Sequence, residues 1–128
     1  MSDKNINKRI LVVDDDDLLR DFYIKVLNSE EYDTEFAANG DEAIEILKNY
    51  SDFSLAIIDL LMPIRTGWEL IELMKSNDDY KDIPVIALTG LASSFNDFHE
   101  VEAICDVVMH KGKFELAEFI ETINKTVK

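Results

Sequence analysis

Four short runs dense in Val, Ile and Leu punctuate the chain: Ile10 to Val13, Leu55 to Ile58, Pro84 to Leu88 and Asp106 to Met109. Each is too short for a helix and lacks the polar alternation of a half-exposed strand, so each reads as a strand covered on both faces. A fifth run, Asp33 to Ala38, mixes polar and apolar positions and suits an outer strand. The segments between carry helical spacing instead. In the first, Leu18, Leu19, Phe22, Val26 and Leu27 make one apolar stripe, with Asp16 or Asp17 as its cap. A second helix is expected to begin near Asn39-Gly40-Asp41 with Ala43, Ile44 and Leu47 inward. A third follows Gly67 with Leu70, Ile71, Leu73 and Met74 inward. A fourth helical segment covers about Ser94 to Ile104, and the last runs from about Phe114 to Val127, burying Leu116, Phe119, Ile120 and Ile123.

Strict alternation of buried strands with helices implies an α/β domain: five parallel strands with five helices laid over both faces. The doubly wound order for five strands is 2-1-3-4-5, which opens a crevice at the carboxyl ends of strands 1 and 3. With 128 residues, 47% of them apolar, the chain is large enough to bury one core without staples. No repeat or linker interrupts it, and residues 1–128 are expected to form one domain with no output domain in this chain.

Charge narrows the partners. Thirteen basic against 27 acidic residues give a formal charge of -14, which opposes binding to a phosphate backbone, so direct nucleic-acid binding is not expected. Met1 to Lys8 is polar, and no apolar run reaches membrane-spanning length, so a membrane role is not expected either. A single cysteine, Cys105, has no partner for an internal disulfide and reads as core filler in a reducing, cytoplasmic setting. His99, His110 and Trp68 read as bystanders or packing residues.

The polar residues that follow the buried strands change the picture most. Asp14 and Asp15 follow strand 1, Asp59 strand 3, Thr89 strand 4, and Lys111 lies just beyond strand 5. In a parallel sheet these ends share one edge, so residues far apart in sequence converge. Crowded carboxylates repel one another unless cations compensate, and a hard divalent ion with Lys111 would do so. Oxygen-only ligation suits Mg²⁺, or Mn²⁺ in its place. The same residues have plainer readings: Asp14 to Asp17 as a capping cluster, Asp59 as a turn former before Met62-Pro63, Thr89 as a strand end, and Lys111 as a surface lysine.

Taken together, Ile10-Leu11-Val12-Val13-Asp14-Asp15, Ile57-Ile58-Asp59-Leu60-Leu61-Met62-Pro63 with Gly67, Ile83-Pro84-Val85-Ile86-Ala87-Leu88-Thr89 and Lys111 resemble the receiver domains of bacterial two-component response regulators. The resemblance runs from Arg9 to about Val127 and implies the flavodoxin-like form of the sheet. By it, Asp59 is the phosphoacceptor, receiving its phosphoryl group from a histidine kinase or a histidine phosphotransfer protein. Asp15 ligates the metal directly, Asp14 largely through water, and Asp59 and the backbone carbonyl of Leu61 complete the protein's share. Thr89 and Lys111 engage phosphoryl oxygens, and their movement switches binding of a downstream protein partner through the fourth helical segment, the fifth strand and the last helix. Such a domain is a signalling module rather than an enzyme, with only self-directed phosphoryl transfer and autodephosphorylation.

The chain departs from that family late. Lys111-Gly112 replaces the usual Lys-Pro step, and Lys113 is an additional residue that competes with Lys111 for the phosphate-facing role. Val108 stands where an aromatic switch residue is usual, and Ile104-Cys105 replaces a small-residue turn. Leu61 and Leu91, two residues past Asp59 and Thr89, offer no hydrogen bond to a hydrolytic water, so a long-lived phosphoryl group is expected. Three rivals are weighed. A haloacid dehalogenase-type phosphatase needs a second Asp where Leu61 stands. A flavin-binding electron carrier needs a phosphate cradle where four carboxylates stand. A degenerate receiver binding partners without phosphorylation sits poorly with Asp59, Thr89 and Lys111 all present.

Overall fold

The computed structural model describes residues 8–50, 52–60, 66–90, 105–111 and 115–128. Five strands, β1 (Arg9–Val13), β2 (Asp33–Ala37), β3 (Phe53–Asp59), β4 (Val85–Thr89) and β5 (Val107–His110), form one sheet in the order β2-β1-β3-β4-β5. Every neighbouring pair is parallel. All five lie where the apolar runs predict them. Four helices are found among the described residues: α1 (Asp17–Ser29), α2 (Gly40–Asn49), α3 (Gly67–Lys75) and α4 (Leu116–Thr126). The helix expected over Ser94 to Ile104 lies outside them.

Alternation along each strand builds two cores. Leu11, Val13, Ala56, Ile58, Val85 and Ala87 pack with α2 and α3 through Ala43, Leu47, Leu70, Ile71 and Met74. Their neighbours Ile10, Val12, Leu55, Ile57, Ile86, Leu88 and Met109 face α1 and α4, meeting Tyr23, Val26, Leu27, Phe119 and Ile123. This two-sided cover explains the unbroken hydrophobicity of β1, β3 and β4. Asp16 caps α1, its side chain accepting from the N–H groups of Leu18 and Leu19. Asn39 and Thr66 cap α2 and α3 in the same way, each with a Glu three residues on.

Three residues expected inside are exposed. Leu18 is 82% exposed, Phe22 43% and Leu116 50%. In α1 the buried face runs through Tyr23, Val26 and Leu27, with Leu19 half-buried, so Leu18 and Phe22 sit one position, about 100°, off it. Tyr23 takes the place assigned to Phe22 because its ring closes on Phe119 of α4, with centroids 5.3 Å apart. Leu116 opens α4 one turn before the buried Phe119 and stays at the rim.

Gly67 sets how closely α3 approaches the end of β3. Its N–H donates to the carbonyl of Leu60. A Cβ there would lie 2.7 Å from the carbonyl carbon of Asp59 and 2.8 Å from the Cα of Leu60, contacts that backbone atoms cannot relax cheaply. Gly67→Ala is therefore expected to destabilise the fold by about 1–3 kcal/mol, the usual cost of overpacking, as read by chemical denaturation. An unchanged unfolding midpoint would contradict this packing.

Candidate functional site

The strand registers bring the site together. Val13 of β1 lies level with Ile58 of β3, so the next residues, Asp14 and Asp59, share a row across the switch point. Continued by one step, the alternation of β1 and β3 puts both on the side of the sheet that faces α1 and α4. Lys111, two residues after the inward Met109, follows the same alternation on β5. The N–H of Lys111 donates to the carbonyl of Thr89 at 2.8 Å, which ties the end of β5 to the end of β4.

Asp14 is fully buried, Asp59 is 3% exposed and Thr89 2%. Such burial would be costly for two carboxylates left alone. The ammonium of Lys111 compensates both, standing 2.8 Å from Oδ2 of Asp14 and 3.1 Å from Oδ2 of Asp59. Burial works against the charge of Lys111, but the hydrogen bonds and charges of Asp14 and Asp59 outweigh it and raise its pKa above the ordinary lysine value. Lys111 is therefore protonated throughout the neutral range.

Oδ1 of Asp14 accepts from the backbone N–H of Asp16 at 2.9 Å, which fixes the carboxylate plane. Asp15, by contrast, is exposed at the mouth. Oxygens of Asp14, Asp15 and Asp59 all lie within 4.8 Å of one another. Three carboxylate oxygens so close, two of them buried, form a hard-donor set that fits a small divalent cation with room for water and a phosphate oxygen.

The structure thus gathers Asp14, Asp15, Asp59 and Lys111 and places Thr89 at the neighbouring strand end. Leu61, Leu91, Lys113, His99 and the Lys111-Gly112 step lie outside the described residues. Val108 and Cys105 are half-buried and pack against the α2 and α3 core, while His110 ends β5 level with Thr89. Two residues beside the site went unnoticed in the sequence. Tyr23 lies beneath the acidic row. Burial, helped by Asp14, Asp59 and Asp16 and opposed by Lys111, pushes its hydroxyl up to about 12. Arg20 reaches back from α1 to the carbonyl of Asp14. Spacing offered a signal for both, since Tyr23 stands four residues after Leu19, and Arg20 three after Asp17 and four after Asp16.

Known proteins resemble this chain in sequence and fold. The sequence model of the response regulator receiver domain matches residues 10–124. The polar-differentiation response regulator DivK of Brucella anthropi is 27% identical over 116 residues, covering 91% of this chain and 93% of that protein. Response regulator RppA of Synechocystis sp. is 33% identical over 88% of this chain, but the match spans only 47% of that longer protein. Among solved structures, a CheY-like response regulator receiver domain protein of Methanospirillum hungatei has a TM-score of 0.81 at 31% identity, covering 92% of this chain and 91% of that one. Response regulator protein TrrA of Thermotoga maritima, solved in complex with Mg²⁺-BeF, has a TM-score of 0.80 at 31% identity, covering 94% and 99%. With the order β2-β1-β3-β4-β5 and the acidic row at its switch point, the chain belongs to the receiver domain family of two-component response regulators.

Proposed function

We propose that this domain accepts a phosphoryl group on Asp59 and uses it to switch the binding of a protein partner. The observation that carries the reading is the ammonium of Lys111 bridging the buried carboxylates of Asp14 and Asp59 while Asp15 stands open beside them. A carboxylate oxygen of Asp59 attacks the phosphorus of a phosphohistidine or a small acyl phosphate. The new O–P bond forms as the P–N or P–O bond of the donor breaks, and the leaving group departs with that electron pair. Asp14, Asp15, Asp59 and the Leu61 carbonyl would hold Mg²⁺ or Mn²⁺, which supplies charge neutralisation for phosphoryl oxygens when bound.

The chain's own residues do the rest. Burial fixes the Asp59 carboxylate in a direction set by β3, so little entropy remains to be lost before attack. Lys111 pairs with a phosphoryl oxygen once Asp59 carries the acyl phosphate, since the carboxylate charge it compensated has moved onto the phosphoryl group. Thr89 offers its hydroxyl to another oxygen. The donor is a histidine kinase or a phosphotransfer protein. The lone cysteine fits a reducing, cytoplasmic setting, and no helix among the described residues is long and apolar enough to cross a membrane.

Incubation with acetyl phosphate and Mg²⁺ should add the mass of one phosphoryl group to the intact protein and none to Asp59→Asn. An unchanged parent mass, or a gain that survives in Asp59→Asn, would overturn the reading.

Mg²⁺ should also raise the melting temperature, because binding the folded crevice and not the unfolded chain stabilises the fold by about 2.7 kcal/mol at roughly 100 times its Kd. The shift should vanish in Asp14→Ala/Asp15→Ala, and a shift of parental size there would exclude these ligands.

A further inference from the structure

The side chain of Arg20, in the first turn of α1, is only 13% exposed. Both terminal nitrogens of its guanidinium engage the acidic loop. Nη1 donates to the backbone carbonyl of Asp14 at 3.1 Å, and Nη2 pairs with Oδ1 of Asp17 at 2.6 Å. Its Cζ carbon lies over the ring of Phe36 on β2, 5.0 Å from the centroid. Nε is buried with no hydrogen-bond partner among the described residues. An unpaired buried donor is a cost, so the other three contacts must hold the group in place. Phe36 is 51% exposed on an outer strand, and serving as the platform for this cation explains a large aromatic there.

The carbonyl that Arg20 holds belongs to the peptide joining Asp14 to Asp15. That peptide decides where the buried carboxylate ends and the open one begins. The Asp14 unit is fixed on three other sides: its N–H donates to Ala37, Oδ1 accepts from Asp16, and Oδ2 meets Lys111. Arg20 supplies the remaining restraint, on the carbonyl. Since the Asp16 carbonyl accepts from the N–H of Arg20 at 2.9 Å, the first turn of α1 and the Asp14-Asp15 peptide are locked to one residue.

We infer that Arg20 is a positioning residue for the divalent-cation site, aiming the Asp14-Asp15 peptide so that both carboxylates face Asp59. The inference rests on the metal reading of that site. It also runs against simple electrostatics, which gives it a sign that can be tested. A guanidinium near a cation site repels the cation, so removing it for its charge alone would tighten Mg²⁺ binding. Removing a restraint that aims the ligands would loosen it, by about tenfold or more if it behaves as such supporting contacts do elsewhere.

Isothermal titration calorimetry with Mg²⁺ on the full chain separates the two. Arg20→Ala and the charge-conserving Arg20→Lys are both expected to weaken binding, because lysine keeps the charge but lacks the planar fork that reaches Asp14 and Asp17 together above Phe36. Phe36→Leu should weaken it less. Tyr32→Phe, which breaks a hydrogen bond to Asn124 near the amino-terminal end of β2, away from the acidic row, should leave Kd unchanged even if it lowers the melting temperature, separating aim from stability. Tighter binding in Arg20→Ala, or parental binding in Arg20→Lys, would overturn the positioning role while leaving the metal site standing. No binding heat in the parent, with the Mg²⁺ melting shift also absent, would overturn the metal reading and this role with it.

Discussion

One ammonium between two buried carboxylates is the constraint on which the rest of the site depends. Asp14 and Asp59 end neighbouring strands in the same row, and burying two like charges there is tolerable only with a cation between them. Lys111 meets both, at 2.8 and 3.1 Å, from the end of β5, the strand that follows β4 in the sheet. The arrangement is balanced for exchange. A single positive charge cannot neutralise three carboxylates, and the set has the chemistry to take a divalent ion. A phosphoryl group added to Asp59 would redistribute the charges that Lys111 now holds. Sensitivity to a chemical event at Asp59 is thus built into how the fold tolerates burying it.

The scaffold supports that poise from below and from the side. Gly67 lets α3 start against the carbonyl end of β3, with its N–H on Leu60, so the backbone around Asp59 is braced by a helix. Beneath the row, Tyr23 and Phe119 close α1 onto α4 and exclude water from the inner side of the carboxylates. Movement at the crevice would therefore be felt by two helices that have little room to yield, which is how a small local change becomes a choice between discrete packings.

Much of this was legible in the sequence, for particular reasons. Strands β1, β3 and β4 are buried on both faces, so their apolar runs are unbroken and their ends easy to find. The residues after those ends, Asp14, Asp59 and Thr89, then stand out by contrast. Even the mixed run of β2 was readable as an outer strand. The face of α1 was harder: Leu18, Leu19, Phe22 and Tyr23 are all apolar or aromatic, and only contact with Phe119 decides that Tyr23 turns in and Phe22 out. Leu116 misled in the same way, at a helix start where the sheet no longer covers it. Arg20 was harder to see because, although its spacing from Asp16 and Asp17 suggests an ion pair, its bond to the Asp14 backbone carbonyl depends on no residue type.

The most direct test of Asp59 as acceptor is to trap the acyl phosphate chemically. Borohydride reduces an acyl phosphate to the alcohol, so after phosphorylation and trapping, peptide sequencing by mass spectrometry should find homoserine in place of Asp59 and leave Asp14 and Asp15 as aspartate. Homoserine at another aspartate, or none anywhere in a sample whose intact mass shows a phosphoryl group, would contradict Asp59 as the acceptor.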